Sequence, residues 1–199
     1  DLQTSGYWLS IRNGTDESGF DIALGTSDGG TTAASSNDTV PSGSATKPFT
    51  AVAVMRLIER GVVGLDDAIA PHVDPFLKTN NGTTLESLWG PPIRNVTVRM
   101  LLNMRSGMED YNDQVINKLT LQYPKWDISP YDYLALNSKA WMCPPGNCSS
   151  YNSINFMLLL MLVARHTLPQ LNSDWASLDQ LSSTFPDSVL GNYHHTQFY

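Results

Sequence analysis

The sequence has 199 residues, 41% of them hydrophobic, which is enough for one core or for one domain with part of a second. Its formal net charge of -7 argues against nucleic acid or an anionic membrane as the main partner, because phosphate binding requires clustered lysine and arginine. The longest strongly apolar run, 156–164, is shorter than the roughly 20 residues that a membrane span requires and predicts a buried helix.

Two short strands and a long loop are predicted at the beginning of the chain. The segments 7–12 and 20–25 read as strands of a hairpin, joined by the polar turn 13–19. Residues 26–43, rich in serine, threonine, glycine and asparagine, predict a loop. An isolated two-stranded sheet is marginal in water, so these strands require further strands that the remaining sequence does not supply.

Helices are predicted through most of the rest. The segment 47–60 predicts a helix closed by Gly61, and 61–76 reads as a turn and a short helix. The segment 155–165 is apolar on all sides and predicts a buried helix. Two further helices are predicted at 96–104, capped by Thr97, and at 131–137.

Two cysteines, Cys143 and Cys148, flank a Pro-Pro-Gly-Asn turn. Their short spacing favours a local disulfide in an oxidising compartment. Two free thiols are the alternative if the chain is cytosolic. No metal site is expected, because two cysteines without a nearby histidine pair do not form a zinc site.

Five asparagines occupy acceptor sequences for N-glycosylation, each in a turn-like or polar stretch. Several acceptors in so short a chain favour a secreted or lumenal eukaryotic glycoprotein. We therefore expect that a signal peptide has been removed from the protein. The five are Asn13, Asn37, Asn81, Asn95 and Asn147.

Ser44 and Lys47 lie where the predicted helix 47–60 begins. Residues three apart share a helix face, so the two side chains can meet, and Pro48 is tolerated in the first turn. The unpaired N–H groups of a helix start favour an oxyanion, and a lysine held there against apolar residues should lose part of its preference for the charged form. This pattern predicts a serine nucleophile with a lysine base. The alternative is an N-cap serine followed by a surface lysine.

Three segments, in order, resemble the serine β-lactamase-like hydrolases of the class C type, a family that includes D-Ala-D-Ala carboxypeptidases and related esterases. "GSATKPFTAVAVMRLIERGVVGLDD" (43–67) is similar to the family's nucleophile segment. "VTVRMLLNMRSGMEDY" (96–111) is similar to its helix leading into a Ser-Gly turn. "PPGNCSSYNSINFMLLLMLV" (144–163) is similar to its Pro-Gly segment, Tyr-x-Asn motif and following helix. The resemblance extends over about residues 7–165.

The resemblance implies a role for each matching residue. Ser44 would be acylated, Lys47 would take its proton, and Tyr151 would share in activating Ser44 and protonate the leaving group, with no metal or cofactor. Taken alone, Tyr151 would read as a core aromatic. Asn152 and Ser153 are assigned to substrate binding. Ser153 stands where the family usually has a side-chain amide, and its shorter side chain orients a substrate less firmly.

The family's third motif, a Lys-Thr-Gly or His-x-Gly strand, is absent from this sequence. In family members, C-terminal strands complete the sheet and supply the second oxyanion donor. We therefore expect an α+β fold of the β-lactamase and penicillin-binding-protein type, with an antiparallel sheet and a mostly helical domain. Residues 1–50 would form the N-terminal part of the sheet domain and 51–199 the helical domain. The C-terminal half of the sheet would lie on a companion chain, produced by cleavage near Tyr199, or on a segment outside this sequence.

The implied function is a serine hydrolase acting on a small-molecule or peptide substrate: an ester, an amide or a D-amino-acid peptide. An acyltransferase, in which an alcohol or amine replaces water, is one alternative. Another is a catalytically inactive secreted glycoprotein that uses the fold for binding or structural assembly. Ser153, the missing strand and a glycan on Asn147, four residues before Tyr151, would favour that reading. The intact Ser44, Lys47 and Tyr151 oppose it.

We expect structural roles, rather than catalytic or metal-binding ones, for the histidines and for the paired carboxylates. The histidines show no spacing typical of a metal site, and the paired carboxylates suit turn and cap roles. We expect His194 and His195 to be solvated, His72 and His166 to be structural or capping, and Asp66–Asp67 and Glu109–Asp110 to serve turns and caps.

Overall fold

The computed structural model describes residues 6–14, 18–126, 128–168, 170, 178–191, 193 and 196. The chain divides into two compact units, Asp1–Gly43 and Ser44–Tyr199. This division falls earlier than the domain boundary expected after residue 50. It places Ser44 in the same unit as the helices.

The first unit contains the predicted hairpin. Strand β1 (Gly6–Arg12) pairs antiparallel with β2 (Gly19–Gly25), so the strands predicted at 7–12 and 20–25 are confirmed. In the loop that follows, the Asp28 carboxylate accepts hydrogen bonds from the Gly30 N–H at 2.8 Å and the Thr32 hydroxyl at 2.7 Å. Among the described residues, the sheet has these two strands alone.

One face of the hairpin is apolar and open. Side chains of residues directly opposite each other on two paired strands point to the same face of the sheet. Along one strand, every second side chain points to that face. Six large apolar side chains therefore line one face, and each is between 38% and 63% exposed. A two-stranded sheet with this face open is marginal in water. The three cross-strand pairs are Tyr7 with Leu24, Leu9 with Ile22, and Ile11 with Phe20.

The second unit is helical, with nine α-helices among the described residues. Two 3₁₀ turns, Gly43–Thr46 and Pro91–Asn95, accompany them. The helices are α1 (Lys47–Glu59), α2 (Ala70–Asn81), α3 (Leu85–Trp89), α4 (Val98–Leu102), α5 (Asp113–Gln122), α6 (Pro130–Leu136), α7 (Ser153–Thr167), α8 (Gln180–Thr184) and α9 (Asp187–Leu190).

The central helix is α7, which packs against α1, α2, α4, α6 and α8. Leu158, Leu159 and Leu162 are fully buried. Burial of each such side chain stabilises the fold by roughly 1.5–3 kcal/mol. The buried apolar helix predicted at 155–165 is confirmed. The observed helix extends slightly beyond the predicted segment at both ends, from Ser153 to Thr167.

Helix α1 begins and ends where the sequence predicts. Pro48 lies in the first turn, where its missing N–H costs no helical hydrogen bond. Gly61, just after the helix, has a φ of +69°. Only glycine adopts this left-handed conformation without strain, so the chain turns away from the helix at this point.

Helix α2 is longer than expected, and four other helices, α3, α5, α8 and α9, are not predicted from the sequence. Helix α2 continues past Pro75 to Asn81, because the buried side chains of Phe76 and Leu77 offset the lost hydrogen bond. Helix α5 is not predicted at all, because Ile116 is its one buried residue and gives no apolar period.

Helices α2 and α7 bring two histidines together. His72 Nδ1 lies 3.1 Å from His166 Nε2, and His72 Nε2 lies 3.5 Å from the Asp67 carboxylate. Burial, followed by the proximity of His72 and Arg165, holds the pKa of His166 below its ordinary value of 6.5. Protonation of His166 is therefore less favourable in the folded chain than in the unfolded one.

This difference predicts a pH-dependent stability. A group with a depressed folded pKa stabilises the fold above its unfolded pKa of 6.5, and that contribution is lost as the pH falls towards the folded pKa. We expect the free energy of unfolding, measured by urea denaturation, to fall below pH 6.5 more steeply in the wild type than in His166→Gln. Parallel pH profiles for the two proteins would contradict the assignment to His166.

Candidate active site

The start of α1 brings Ser44 and Lys47 together. The Gly43–Thr46 turn carries Ser44 directly into the helix, and Lys47 is the first helical residue. The Lys47 Nζ donates a hydrogen bond to the Ser44 Oγ at 3.0 Å. The contact that the spacing predicts is therefore present.

Tyr151 joins this pair from a distant part of the chain. The Tyr151 Oη lies 2.5 Å from the Ser44 Oγ and accepts a hydrogen bond from the Lys47 Nζ at 2.6 Å. The Lys47 Nζ also lies 4.7 Å from the centroid of the Tyr151 ring and 5.9 Å from that of Phe156. Ser44, Lys47 and Tyr151 thus form a closed triangle of polar contacts.

The triangle changes the acidity of the tyrosine. The hydrogen bond from Lys47, followed by that with Ser44, holds the pKa of Tyr151 below its ordinary value of 10.0. A cation that donates to the hydroxyl oxygen stabilises the phenolate more than the neutral phenol. Tyr151 is therefore better suited than an ordinary tyrosine to accept a proton from its neighbour Ser44.

A disulfide loop precedes Tyr151. Cys143 and Cys148 are joined, which confirms the predicted pairing. The Gly146 N–H donates to the Arg105 carbonyl at 2.9 Å, and the Ser150 N–H donates to the Met104 carbonyl at 3.0 Å. These hydrogen bonds join the disulfide loop to the turn after α4. They therefore fix the position of the backbone immediately before Tyr151.

The Ser106–Gly107 turn packs tightly against the same loop. Gly107 has a φ of +81°, and a Cβ at this position would lie 2.3 Å from the Cys143 carbonyl oxygen. Glycine is required here for both reasons. The buried Ser106 hydroxyl donates to the Asn155 Oδ1 at 2.6 Å. The turn therefore ties the disulfide loop to helix α7.

The N-terminus of α7 is capped from two directions. The Asp110 carboxylate accepts hydrogen bonds from the N–H groups of Ser153 at 2.9 Å and Ile154 at 3.4 Å. The Asn152 Oδ1 accepts one from the Asn155 N–H at 3.2 Å. These acceptors satisfy N–H groups that lack helical partners, and the negative charge complements the helix dipole. The cap fixes α7 immediately after Tyr151.

The two residues after Tyr151 point in different directions. Asn152 is buried, and its Nδ2 donates to the Met108 carbonyl at 2.6 Å. Its contact with substrate stays a prediction that this interior position does not favour. Ser153 is the first residue of α7 and donates its N–H to the Asp110 carboxylate at 2.9 Å, and its side chain is among the groups that lower the pKa of Tyr151. Its contact with substrate stays a prediction.

The five asparagines of the glycosylation sequences are all exposed. Their positions leave each side chain open to carry a glycan, although modification itself stays a prediction. They are Asn13, Asn37, Asn81, Asn95 and Asn147.

The described part of the chain has neither a metal-binding cluster nor a membrane-spanning helix. It contains no group of three or more histidine, cysteine, aspartate or glutamate side chains that could hold a metal ion. None of its helices has the length and apolar character needed to cross a membrane. His194 and His195, for which a solvated position is expected, lie outside the described residues.

Comparison with known proteins gives a family and a fold. The family model described as Beta-lactamase matches residues 13–176 of the chain. The fold is similar to that of a D-stereospecific amidohydrolase from a Streptomyces species, with a TM-score of 0.60 and 24% identity over 83% of this chain and 46% of that one.

Two further solved structures share the fold. A D-amino acid amidase from Ochrobactrum anthropi has a TM-score of 0.57 and 18% identity, over 82% of this chain and 42% of that one. A penicillin binding protein from Bacillus halodurans has a TM-score of 0.55 and 23% identity, over 79% of this chain and 45% of that one. The predicted β-lactamase and penicillin-binding-protein fold is confirmed, and the chain spans less than half the length of each of these three proteins.

The cap on α7 gives a testable expectation. Replacing Asp110 by alanine leaves the Ser153 and Ile154 N–H groups without their acceptor. We expect Asp110→Ala to lower the free energy of unfolding by about 1 kcal/mol in urea denaturation. Glu109→Ala, which removes a neighbouring carboxylate bonded to the Ser138 hydroxyl, should change it by less than about 0.5 kcal/mol. Equal losses in the two variants would show that the cap is not what stabilises α7.

Proposed function

Since the chain belongs to the beta-lactamase family, we propose that it is a serine hydrolase that acts through an acyl-Ser44 intermediate. The observation that carries the proposal is the closed contact of Ser44, Lys47 and Tyr151. A nucleophile and its base must lie within hydrogen-bonding distance of each other, and these three do so before any substrate is bound.

In acylation, ionised Tyr151 accepts the proton of the Ser44 hydroxyl, over the 2.5 Å that separates their oxygens. The Ser44 Oγ forms a bond to the substrate carbonyl carbon, and the carbonyl π electrons move to its oxygen. When this tetrahedral species collapses, the bond to the leaving group breaks, and the leaving group takes the proton from Tyr151. Lys47, to which the resemblance assigns this proton, here donates hydrogen bonds to both oxygens and stabilises the phenolate at the beginning and end of the step.

The helix start contributes to the same step. The helix dipole is positive at the start of α1, where Ser44 lies in the preceding 3₁₀ turn. Negative charge that develops on the substrate oxygen beside Ser44 is therefore stabilised. In deacylation, water gives a proton to Tyr151 and attacks the acyl carbon, and Ser44 leaves with a proton returned from Tyr151.

We propose an ester, an amide or a D-amino-acid peptide as the substrate. The resemblance of the three sequence segments supports this range, and the names of two fold neighbours, a D-stereospecific amidohydrolase and a D-amino acid amidase, support the amide. Each of these substrates has a carbonyl carbon open to attack by a serine and a leaving group that requires a proton.

The open face of the hairpin supports the proposal that more of the sheet lies outside this sequence. Six apolar side chains from β1 and β2 are exposed there, and the sheet has two strands among the described residues. The chain also spans less than half the length of the proteins whose fold it shares. We propose that the C-terminal half of the fold, on a companion chain or on a further segment, covers this face.

We also propose a secreted or lumenal location. Disulfides persist in oxidising compartments, and Cys143 and Cys148 form one. The exposed positions of all five acceptor asparagines are those that N-glycans require.

The central step predicts covalent labelling of Ser44. A fluorophosphonate reacts with an activated serine and mimics acylation, so we expect a single adduct on the native protein in intact-mass spectrometry. Ser44→Ala should give none, and Ser42→Ala, which removes an exposed serine two residues away, should label at the wild-type rate. Tyr151→Phe should label at least about 100-fold more slowly, because general-base catalysis contributes on that order.

Labelling of Ser44→Ala at the wild-type rate would contradict the proposal. A folded native protein that forms no adduct would favour the catalytically inactive binding module instead.

The second half of the fold gives a separate prediction. Native mass spectrometry after enzymatic removal of N-glycans should show a polypeptide longer than this chain of 21.9 kDa, or a second chain bound to it. The mass lost on glycan removal reports how many asparagines are modified. A folded, monomeric species at 21.9 kDa would contradict the companion segment.

A further inference from the structure

The helical unit has an apolar groove of about 700 Å³, a size typical of small-molecule sites. Its lining comes from the 3₁₀ turn Pro91–Asn95 and from the segment 141–145, which leads into the disulfide loop, and includes four prolines and Trp141. Asn95, one of the five acceptor asparagines, also lines the groove and is exposed. The side chain that would carry a glycan therefore belongs to the groove itself.

The backbone that carries Asn95 is fixed. The buried residues Ile93 and Val96 lie close to it in the sequence, and the Val96 carbonyl accepts a hydrogen bond from the Ile69 N–H at 2.9 Å. Two prolines at the start of the turn restrict its φ angles further. A glycan on Asn95 therefore leaves the protein from a defined position, and little freedom of the chain is lost when its first sugar makes a contact.

Trp141 offers the groove an apolar surface rather than a hydrogen-bonding one. Its Nε1 donates to the Trp89 carbonyl at 2.9 Å, so the indole N–H is already used. The next residue is held as well, because the Met142 N–H donates to the Gly107 carbonyl at 2.8 Å. Of the residues that line the groove, Asn95 has the one side-chain amide and none is charged. A ligand in this groove is therefore recognised by its apolar surface and not by its charge.

We propose that the groove binds the N-glycan carried by Asn95, with the first N-acetylglucosamine packed on Trp141 and the neighbouring prolines. A pyranose ring has a face of C–H groups that packs on aromatic and proline rings, while its hydroxyl groups stay in water. Attachment to Asn95 keeps the sugar at a high effective concentration beside the groove, so a contact too weak for a free sugar suffices. The inference rests on the proposed secreted or lumenal location, since glycan attachment requires it.

The groove connects this glycan to the loop that precedes the active-site tyrosine. The segment 141–145 leads to Gly146, whose N–H donates to the Arg105 carbonyl at 2.9 Å. A sugar that contacts both lining segments opposes the opening of the disulfide loop before Tyr151. Loss of the sugar should therefore speed local opening of the loop without unfolding the core.

Hydrogen exchange of the Met142 and Gly146 amides in the glycosylated protein, followed by NMR, tests the inference. We expect Asn95→Gln to accelerate their exchange roughly fourfold, the effect of losing about one buried CH₂ group of contact. An endoglycosidase that leaves one N-acetylglucosamine on each asparagine should not change the exchange, because the first sugar makes the contact. A change at Thr97 would be less suitable, because the Thr97 hydroxyl also caps α4.

Asn147→Gln is the matched control, because it removes an acceptor of the same disulfide loop that does not line the groove. Both amides should then exchange at the wild-type rate. In a Trp141→Phe background, the smaller ring has less surface to cover, so Asn95→Gln should accelerate exchange less than about twofold.

Equal exchange in Asn95→Gln and the wild type would overturn the inference. Equal acceleration in Asn95→Gln and Asn147→Gln would do the same, as would exchange in the trimmed protein as fast as in Asn95→Gln.

Glycopeptide mass spectrometry separates this inference from the proposed function. An unmodified Asn95 overturns the binding of its glycan, and the secreted location fails as well only if no acceptor carries a glycan. If Asn95 is modified and its loss leaves exchange unchanged, the location stands and the inference is wrong. If Asn95→Gln accelerates exchange but Ser44 does not label with the fluorophosphonate, the inference stands and the hydrolase fails.

Discussion

The contact of the Lys47 ammonium with two hydroxyl oxygens is the interaction on which the site depends. It lies 3.0 Å from the Ser44 Oγ and 2.6 Å from the Tyr151 Oη. A single positive charge thereby holds a nucleophile against its base and lowers the pKa of that base. Without it, the largest cause of the lowered Tyr151 pKa would be lost, and Tyr151 would be a poorer acceptor for the Ser44 proton.

The rest of the helical unit holds Lys47 and Tyr151 in contact, although they are 104 positions apart in the sequence. Helix α1 presents Lys47 at its first position, and the capped N-terminus of α7 fixes the chain just after Tyr151. The Asp110 carboxylate joins the turn after α4 to the start of α7 by accepting hydrogen bonds from three backbone N–H groups. The geometry of the triangle is therefore built by short local bonds on a buried apolar helix, which is the kind of rigid support that a catalytic arrangement requires.

The sequence predicts those parts of the structure that local rules control. The hairpin, α1 with its Gly61 turn, and the apolar α7 each follow from a short repeating pattern or an end signal. Helical spacing predicts the contact of Ser44 with Lys47. The contact of Tyr151 with this pair is predicted only by the family resemblance, because no local rule relates residues so far apart in the sequence. A turn or cap role is expected for Asp110, but its contact with the N-terminus of α7 joins residues 43 positions apart, and no local rule predicts it.

The most direct measurement is a crystal structure of the protein after reaction with a fluorophosphonate. We expect continuous density from the Ser44 Oγ to phosphorus, with the Lys47 Nζ and the Tyr151 Oη both within hydrogen-bonding distance of the bridging oxygen. An unmodified Ser44 after exposure to the reagent, or an adduct on Ser44 with Tyr151 turned away from it, would contradict the proposed mechanism.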